Sequence, residues 1–264
     1  MKYKNIAVIA AKTNSSALAI KNSLVTKYNF QDFTLNHRDI GSDIDLVIAI
    51  GGDGLMLHLL HEYETKSLPI YGINCGTVGF LMNSFHEENF LETLEKATES
   101  ILHPLRMNVV DRDGKEYSHI AINEVSLLRQ SSQATKIKIE IDGQQRIASL
   151  IADGVLVATS AGSTAYNFSA GGPIIPFGAK ILALTAISPF RPRKWSGALL
   201  PSSSKIKLEV IDFNVRPASA NADSFEVKNA KEISIFEDEK ISFKILFNPN
   251  HPLEERIISE QFRN

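Results

Sequence analysis

Apolar and polar positions follow two different rhythms along this chain, and the rhythm changes once. Over the first hundred residues, short continuous apolar runs at 6–11, 46–50 and 69–75 read as buried strands. Helical patterns alternate with them. In "TNSSALAIKNSLVTKY", Asn14 or Ser15 supplies a cap, and Ala17, Ile20, Leu24 and Tyr28 lie on one helical face. Residues 55–63 read as a second helix and 86–100 as a third, with Phe90, Leu94 and Ala97 on one side. Apolar strands alternating with helices predict a parallel sheet covered on both faces.

Near residues 102–105 the period becomes two. Ile137, Ile139 and Ile141 point one way, while Lys136, Lys138 and Glu140 point the other. Asp113-Gly114 and Asp142-Gly143 predict hairpin tips. Further strands are expected at 155–159, 206–211, 232–236 and 241–247, with one helix near 176–184. The pattern divides the chain into an α/β domain over 1–101, a β-rich, sandwich-like domain over 102–250, and a C-terminal helix within 251–264 that packs back on the first domain.

Composition narrows the function. Hydrophobic residues make up 44% and charged residues 22% of 264, an ordinary globular balance with enough apolar mass for a core. The formal net charge of −2 gives no global attraction to nucleic acid or to an acidic membrane surface. The one cysteine, Cys75, allows no intrachain disulfide, which suits a reducing cytoplasm. The start "MKYKNIAVIAAK" imitates a signal peptide, but its apolar run is too short, and no run reaches transmembrane length.

Chemistry concentrates in a few stretches. "GGDG" at 51–54 follows a strand and opens a helix, where open α/β sheets bind ligands. Gly51, Gly52 and Gly54 allow backbone N–H groups to approach a phosphate, yet Asp53 is itself negative. Beside a phosphate it makes sense with a metal ion between them, or as a base for an attacking hydroxyl. On its own the stretch is equally an Asp-Gly turn. "NE" at 123–124 offers an amide and a carboxylate suited to ribose hydroxyls, or simply a polar strand end. "ADGVLVATSAGSTAYNFSAGGP" at 152–173 places Asp153 before a strand and then a loop of small and hydroxyl residues, and "NADSFEV" carries Asp223. There is no G-x-x-x-x-G-K-[ST] and no G-x-G-x-x-G after a strand, so neither a P-loop nor a Rossmann dehydrogenase is supported.

In this order and spacing, "GGDG", "YGINCGTVGFLM", "NE", "DG", "GSTAYN" and "GGP" resemble the NAD kinase family over most of the chain. "GGDG" alone is shared with lipid kinases and phosphofructokinase-like enzymes; "GSTAYN…GGP" is more specific. The resemblance implies phosphoryl transfer from ATP, in some members from polyphosphate, to the 2′-hydroxyl of the adenosine ribose of NAD. It implies a divalent metal, usually Mg²⁺, with no metal ligand assigned. It also implies an active site in the cleft between two domains and a homotetramer, or failing that a dimer.

The resemblance makes Asp53 the base on the 2′-hydroxyl and Gly54 its neighbour at ribose and phosphates. It assigns Asn123 and Glu124 to adenine and nicotinamide-ribose contacts, Asp153 to the nicotinamide end, and Phe80 to the pocket lining. Thr164, Ala165 and Tyr166 form the adenine wall, and Ala161, Asn167, Ser169 and Ser188 complete the NAD contacts. Gly51, Gly52 and Asp223 fall in the donor and metal region. Leu55, Ser160, Ala161 and Ser224 depart from the common pattern. A substrate hydrogen bond lost at one of them would cost about 0.5–1.5 kcal/mol.

Arg191, Arg193 and Lys194 read as a solvated basic turn or an intersubunit contact before they read as donor contacts. His58 and His61 with Glu62 do not spell H-E-x-x-H and carry no zinc signature. A diacylglycerol- or sphingosine-type lipid kinase shares "GGDG" but not "GSTAYN", and it would be expected to carry a membrane-facing segment. A non-catalytic dinucleotide-binding regulator would fit better without Asp53.

Overall fold

The computed structural model describes residues 2–76 and 79–249. The expected tail helix lies outside the described residues. The chain forms two compact units, one running through Leu102 and taking in the strand Phe243–Phe247, the other His103–Lys240.

In the first unit the sheet order is Gln31–Asp32, Ile6–Ala10, Leu46–Gly51, Pro69–Asn74, Phe243–Phe247, Thr98–Leu102. All neighbours are parallel except the last pair. The central runs are buried on both faces, which explains why they read as unbroken apolar stretches. The helix Ser15–Tyr28 begins where Asn14 Oδ1 accepts the N–H of Ala17 at 3.0 Å, and it buries Ala17 and Leu24.

Three elements depart from the sequence expectation. The strand Phe243–Phe247 belongs to the first sheet, not the second domain. Ile245 pairs with Ile70 and Leu246 with Tyr71, and both residues are fully buried. This pairing spans most of the chain, so no local pattern announces it. The helix expected over 86–100 is confined to Phe90–Glu95, after the 3-10 turn Glu87–Asn89, and Thr98–Leu102 is an edge strand on Phe243–Phe247. The helix expected near 176–184 is absent. Ile181–Ile187 is instead a strand hydrogen-bonded on both sides, to Gly154–Ala158 and to Gly197–Pro201. Its Ile and Thr residues suit a pleated, buried surface.

The second unit is a sandwich of two six-stranded sheets whose neighbouring strands are all antiparallel. Val125, Leu127, Val155 and Val157 of one sheet share a core with Met107, Ile137, Ile139, Leu208 and Ile233 of the other. The period-two reading holds here: Ile137 and Ile139 are inside, and Lys136 and Lys138 are half-buried. Both Asp-Gly tips form, with positive φ at Gly114, Asp142 and Gly143. The outer face of the Gly154–Ala158 and Ile181–Ile187 strands carries a smaller apolar cluster of Leu156, Ala158, Ile175 and Ala183. Among the described residues no helix is long and apolar enough to cross a membrane.

Candidate active site

The sequence-predicted residues fall into two groups, one in each unit.

In the first unit, Gly52 caps the helix Asp53–Glu62, directly after the strand Leu46–Gly51. Asp53 stands in the first helical turn, where the helix dipole favours a carboxylate. Its Oδ2 accepts the N–H of Phe80 at 2.8 Å and its Oδ1 that of Leu81 at 3.0 Å. These charge-assisted bonds fix the carboxylate's orientation. The glycines around it differ in kind. A Cβ at Gly51 would stand 3.0 Å from Leu55 Cδ2 and 3.3 Å from Ala11 Cβ, so packing restricts that position. A Cβ at Gly52 or Gly54 would meet nothing within 4 Å. Gly54 lies inside the helix, where glycine costs about 0.5–1 kcal/mol relative to alanine. The fold does not require it there; close approach of a ligand would.

The segment that presents Phe80 and Leu81 is anchored by a residue that sequence reasoning passed over. Asn83 is 1% exposed. Its Nδ2 donates to the carbonyls of Gly72 at 3.0 Å and Leu246 at 2.9 Å, and its Oδ1 accepts the N–H of Asn248 at 2.9 Å. The Tyr71 hydroxyl donates to Asn248 Oδ1, and Asn248 Nδ2 to the Ser84 carbonyl. The one available signal was an asparagine directly after the apolar "FLM". Cys75 is half-buried, and burial pushes its thiol up.

In the second unit, "NE", "GSTAYN" and Asp223 come together. Asp223 takes a left-handed φ of 48° in the turn after Ala218–Ala222. Its carboxylate accepts three backbone N–H groups, from Ile122 at 2.6 Å, Asn123 at 2.9 Å and Glu124 at 3.2 Å. Asp223 therefore shapes the "NE" turn. Thr159 ties in the following loop: its Oγ1 donates to the Ile122 carbonyl at 2.7 Å and accepts from Gly162 N at 3.1 Å.

Glu124 is the electrostatically exceptional residue. Burial, and next the Asp223 charge, push its pKa from 4.5 up to about 7. Its Oε2 is buried and makes no hydrogen bond. Tyr166 is 37% exposed. Its phenol pKa is raised by burial first, then by the charges of Glu124 and Asp153. Asp153 and Ser188 stand at the opposite end of the strand Gly154–Ala158 from Glu124, since Ala158 pairs with Glu124 and Gly154 with Ile187. The five residue steps from Asp153 to Ala158 make that separation about 17 Å. Arg129 Nε holds Asp153 Oδ1 at 2.6 Å. Ser188 is exposed with φ 48°.

Not every predicted contact residue offers its side chain. Asn167 is fully buried and committed internally, donating to the carbonyls of Ser163 and Pro173 and accepting from Thr185 Oγ1 at 2.6 Å. It builds the loop rather than facing outward. Ala161 is 7% exposed, Thr164 and Ala165 are half-buried, and Ser169 is exposed. Phe80 holds Asp53 through its backbone. Arg191, Arg193 and Lys194 are exposed. Strand register also places two residues not singled out from sequence, Ser126 and Asn221, opposite one another on neighbouring strands and on the same face as Glu124.

Comparison with known proteins agrees with the motifs. Residues 4–101 match the model of the ATP-NAD kinase N-terminal domain, and residues 122–236 that of the ATP-NAD kinase C-terminal domain. The chain is 51% identical over 220 residues to an NAD kinase of Cereibacter sphaeroides, covering 83% of this chain and 87% of that protein. It is 44% identical over 262 residues to an NAD kinase of Rickettsia bellii, covering 99% of each. The crystal structure of an NAD kinase from Archaeoglobus fulgidus in complex with ATP superimposes with a TM-score of 0.77 at 26% identity, over 97% of this chain and 98% of that one. Two family models that together cover most of the chain, and relatives this similar over nearly its full length, lead to one conclusion: the chain belongs to the NAD kinase family.

Proposed function

We propose that this protein transfers the terminal phosphoryl group of ATP to the 2′-hydroxyl of the adenosine ribose of NAD, giving NADP and ADP. The observation that carries this reading is the Asp53 carboxylate, fixed by the Phe80 and Leu81 N–H groups at a helix N-terminus beside glycines with open space above them. A ribose hydroxyl is a poor nucleophile at neutral pH. With its orientation fixed by the Phe80 and Leu81 N–H groups, the Asp53 carboxylate is the base that takes the hydroxyl proton. It does so as the new P–O bond forms and the bond to the ADP oxygen breaks. The backbone at Gly52 and Gly54 receives donor phosphates. Mg²⁺, when bound with the donor, neutralises phosphate charge, and Asp53 is the acidic residue placed to approach it.

The acceptor is held by the second unit. Glu124 Oε2, buried and unpaired, accepts from ribose hydroxyls, and Asn123 supplies an amide beside it. Glu124 and Asp153, at opposite ends of the strand Gly154–Ala158, with Tyr166 in the loop that follows that strand, suit an elongated ligand such as a dinucleotide, with Asp153 toward the nicotinamide end. Ala161, Thr164 and Ala165 contribute the adenine wall. The same reading takes a homotetramer in the cytoplasm, which light scattering and fractionation would check.

The test is NADP formation from NAD, ATP and Mg²⁺, read with an NADP-specific dehydrogenase, with polyphosphate and NADH in parallel. Asp53→Asn is expected to bind NAD with near-native affinity in calorimetry while turnover falls about 10²–10⁴-fold. Lost binding with residual turnover would remove Asp53 from the role of base.

A further inference from the structure

The geometry points to a transition-metal site outside the nucleotide chemistry, formed by His37, His58 and Glu62 and suited to Zn²⁺. One ligand atom from each of these residues lies within 4.8 Å of the others. His58 and Glu62 are spaced i, i+4 on the helix Asp53–Glu62, so both project from one face, with Nε2 of His58 3.3 Å from Glu62 Oε2. His37 comes from the short 3-10 helix His37–Asp39, and its Nδ1 stands 2.8 Å from the same Oε2. The His37 and His58 rings meet edge to face, with centroids 5.5 Å apart at 82°.

Two imidazole nitrogens and one carboxylate oxygen are the donor set that Zn²⁺ takes from three protein ligands, leaving a fourth position open. Mg²⁺ prefers oxygen ligands alone, so this cluster does not duplicate the metal of phosphoryl transfer. Ligand atoms around a tetrahedral Zn²⁺ stand roughly 3.3 Å apart, given bonds of about 2.0–2.2 Å. The observed 2.8 and 3.3 Å separations already approximate this. The ion binds the ring lone pairs, and any proton on Nδ1 of His37 or Nε2 of His58 leaves to solvent.

The site is also held in place. The side chains of His37 and Glu62 are 19% and 15% exposed, while His58 at 54% leaves an entry path. The Tyr63 hydroxyl donates to the His37 carbonyl at 2.7 Å, and Lys66 Nζ donates to the Ile40 carbonyl at 2.7 Å. A bound ion would staple the His37–Asp39 turn to the C-terminal end of the helix that begins at Asp53. That role is structural, and it places no metal-dependent step in the phosphoryl transfer.

Metal-stripped full-length protein should bind one Zn²⁺ per chain with a dissociation constant below about 10 μM, measured in competition with a chromophoric chelator. Co²⁺ should give the visible bands of a four-coordinate ion, and Zn²⁺ should raise the thermal midpoint. His37→Ala and His58→Ala should each weaken binding about 10-fold or more, with far-UV circular dichroism unchanged. His61→Ala, one residue off that helix face, should leave it intact. His37→Gln provides a milder variant if His37→Ala fails to fold. The proposal is overturned if wild-type protein binds Zn²⁺ no better than a His37→Gln/His58→Gln double variant, or if Co²⁺ bands persist in that variant.

Discussion

Gly162 and Asn123 touch through their backbones: a Cβ added at Gly162 would lie 2.1 Å from the Asn123 carbonyl oxygen and 2.5 Å from its Cα. Only glycine lets the "GSTAYN" loop rest directly on the "NE" turn. Gly162→Ala must push the two apart. Overpacking of this kind costs about 1–3 kcal/mol. The expected result is a lower thermal midpoint and a raised KM for NAD, with a smaller change in the KM for ATP. Steady-state kinetics beside a melting curve would check it.

Glu124 gives a pH dependence with a definite sign. Its folded pKa, about 7, lies above its ordinary value of 4.5. Between those values the native protein keeps a proton that the unfolded chain has lost. Stability from this group is therefore fully present below about pH 4.5 and is lost as pH rises through about 7. The loss is on the order of 3 kcal/mol. Glu124→Gln should flatten that part of the profile and raise stability at pH 8. It should also weaken NAD binding and abolish any tightening of NAD binding between pH 6 and 8. Denaturant melts across pH, paired with calorimetry, test both halves. A profile unchanged by the substitution would contradict the assignment.

Asp223 supports the same turn from below. Its carboxylate serves three N–H groups, and Asp223→Ala leaves all three without that acceptor. Unsatisfied buried groups cost about 1–3 kcal/mol each. We expect reduced stability and a raised KM for NAD. Because the Asp223 charge also raises the Glu124 pKa, the titration of Glu124 should move downward in Asp223→Asn. Carbon-detected NMR of the Glu124 carboxyl would show the direction.

Asn83 acts on Asp53 at one remove. Asn83→Leu strips partners from the Leu246 carbonyl and the Asn248 N–H, so stability should fall by about 2–5 kcal/mol. In protein that remains folded, Phe80 and Leu81 lose their anchor. The kinetic signature expected is a fall in kcat larger than any rise in the KM for NAD. Asn83→Asp, which keeps an acceptor for Asn248 N–H, should be milder.

Legibility in the sequence followed the range of the interactions. The strand Ile206–Ile211, the Asn14 cap and the two Asp-Gly tips are set by neighbours a few residues away, and the pattern predicts them. The helix expected through residue 100 and the one expected near 176–184 fail because distant strands claimed those residues for hydrogen-bonded ladders. Asn167 illustrates the same limit inside a motif. Its place in "GSTAYN" suggests a ligand contact, but its amide is consumed by Ser163, Pro173 and Thr185.

By itself the sequence determined the alternating and period-two halves, the chemistry available at Asp53 and Glu124, and the family resemblance, since residue identity and spacing carry all three. Tertiary structure alone decided that Phe243–Phe247 joins the first sheet, that the Asp223 carboxylate binds the 122–124 backbone, that half-buried Glu124 has a buried, unpaired oxygen, and that His37 meets His58 and Glu62. Each of these depends on groups far apart in the chain, or on how far burial strips water from a charge, and neither is written in local pattern.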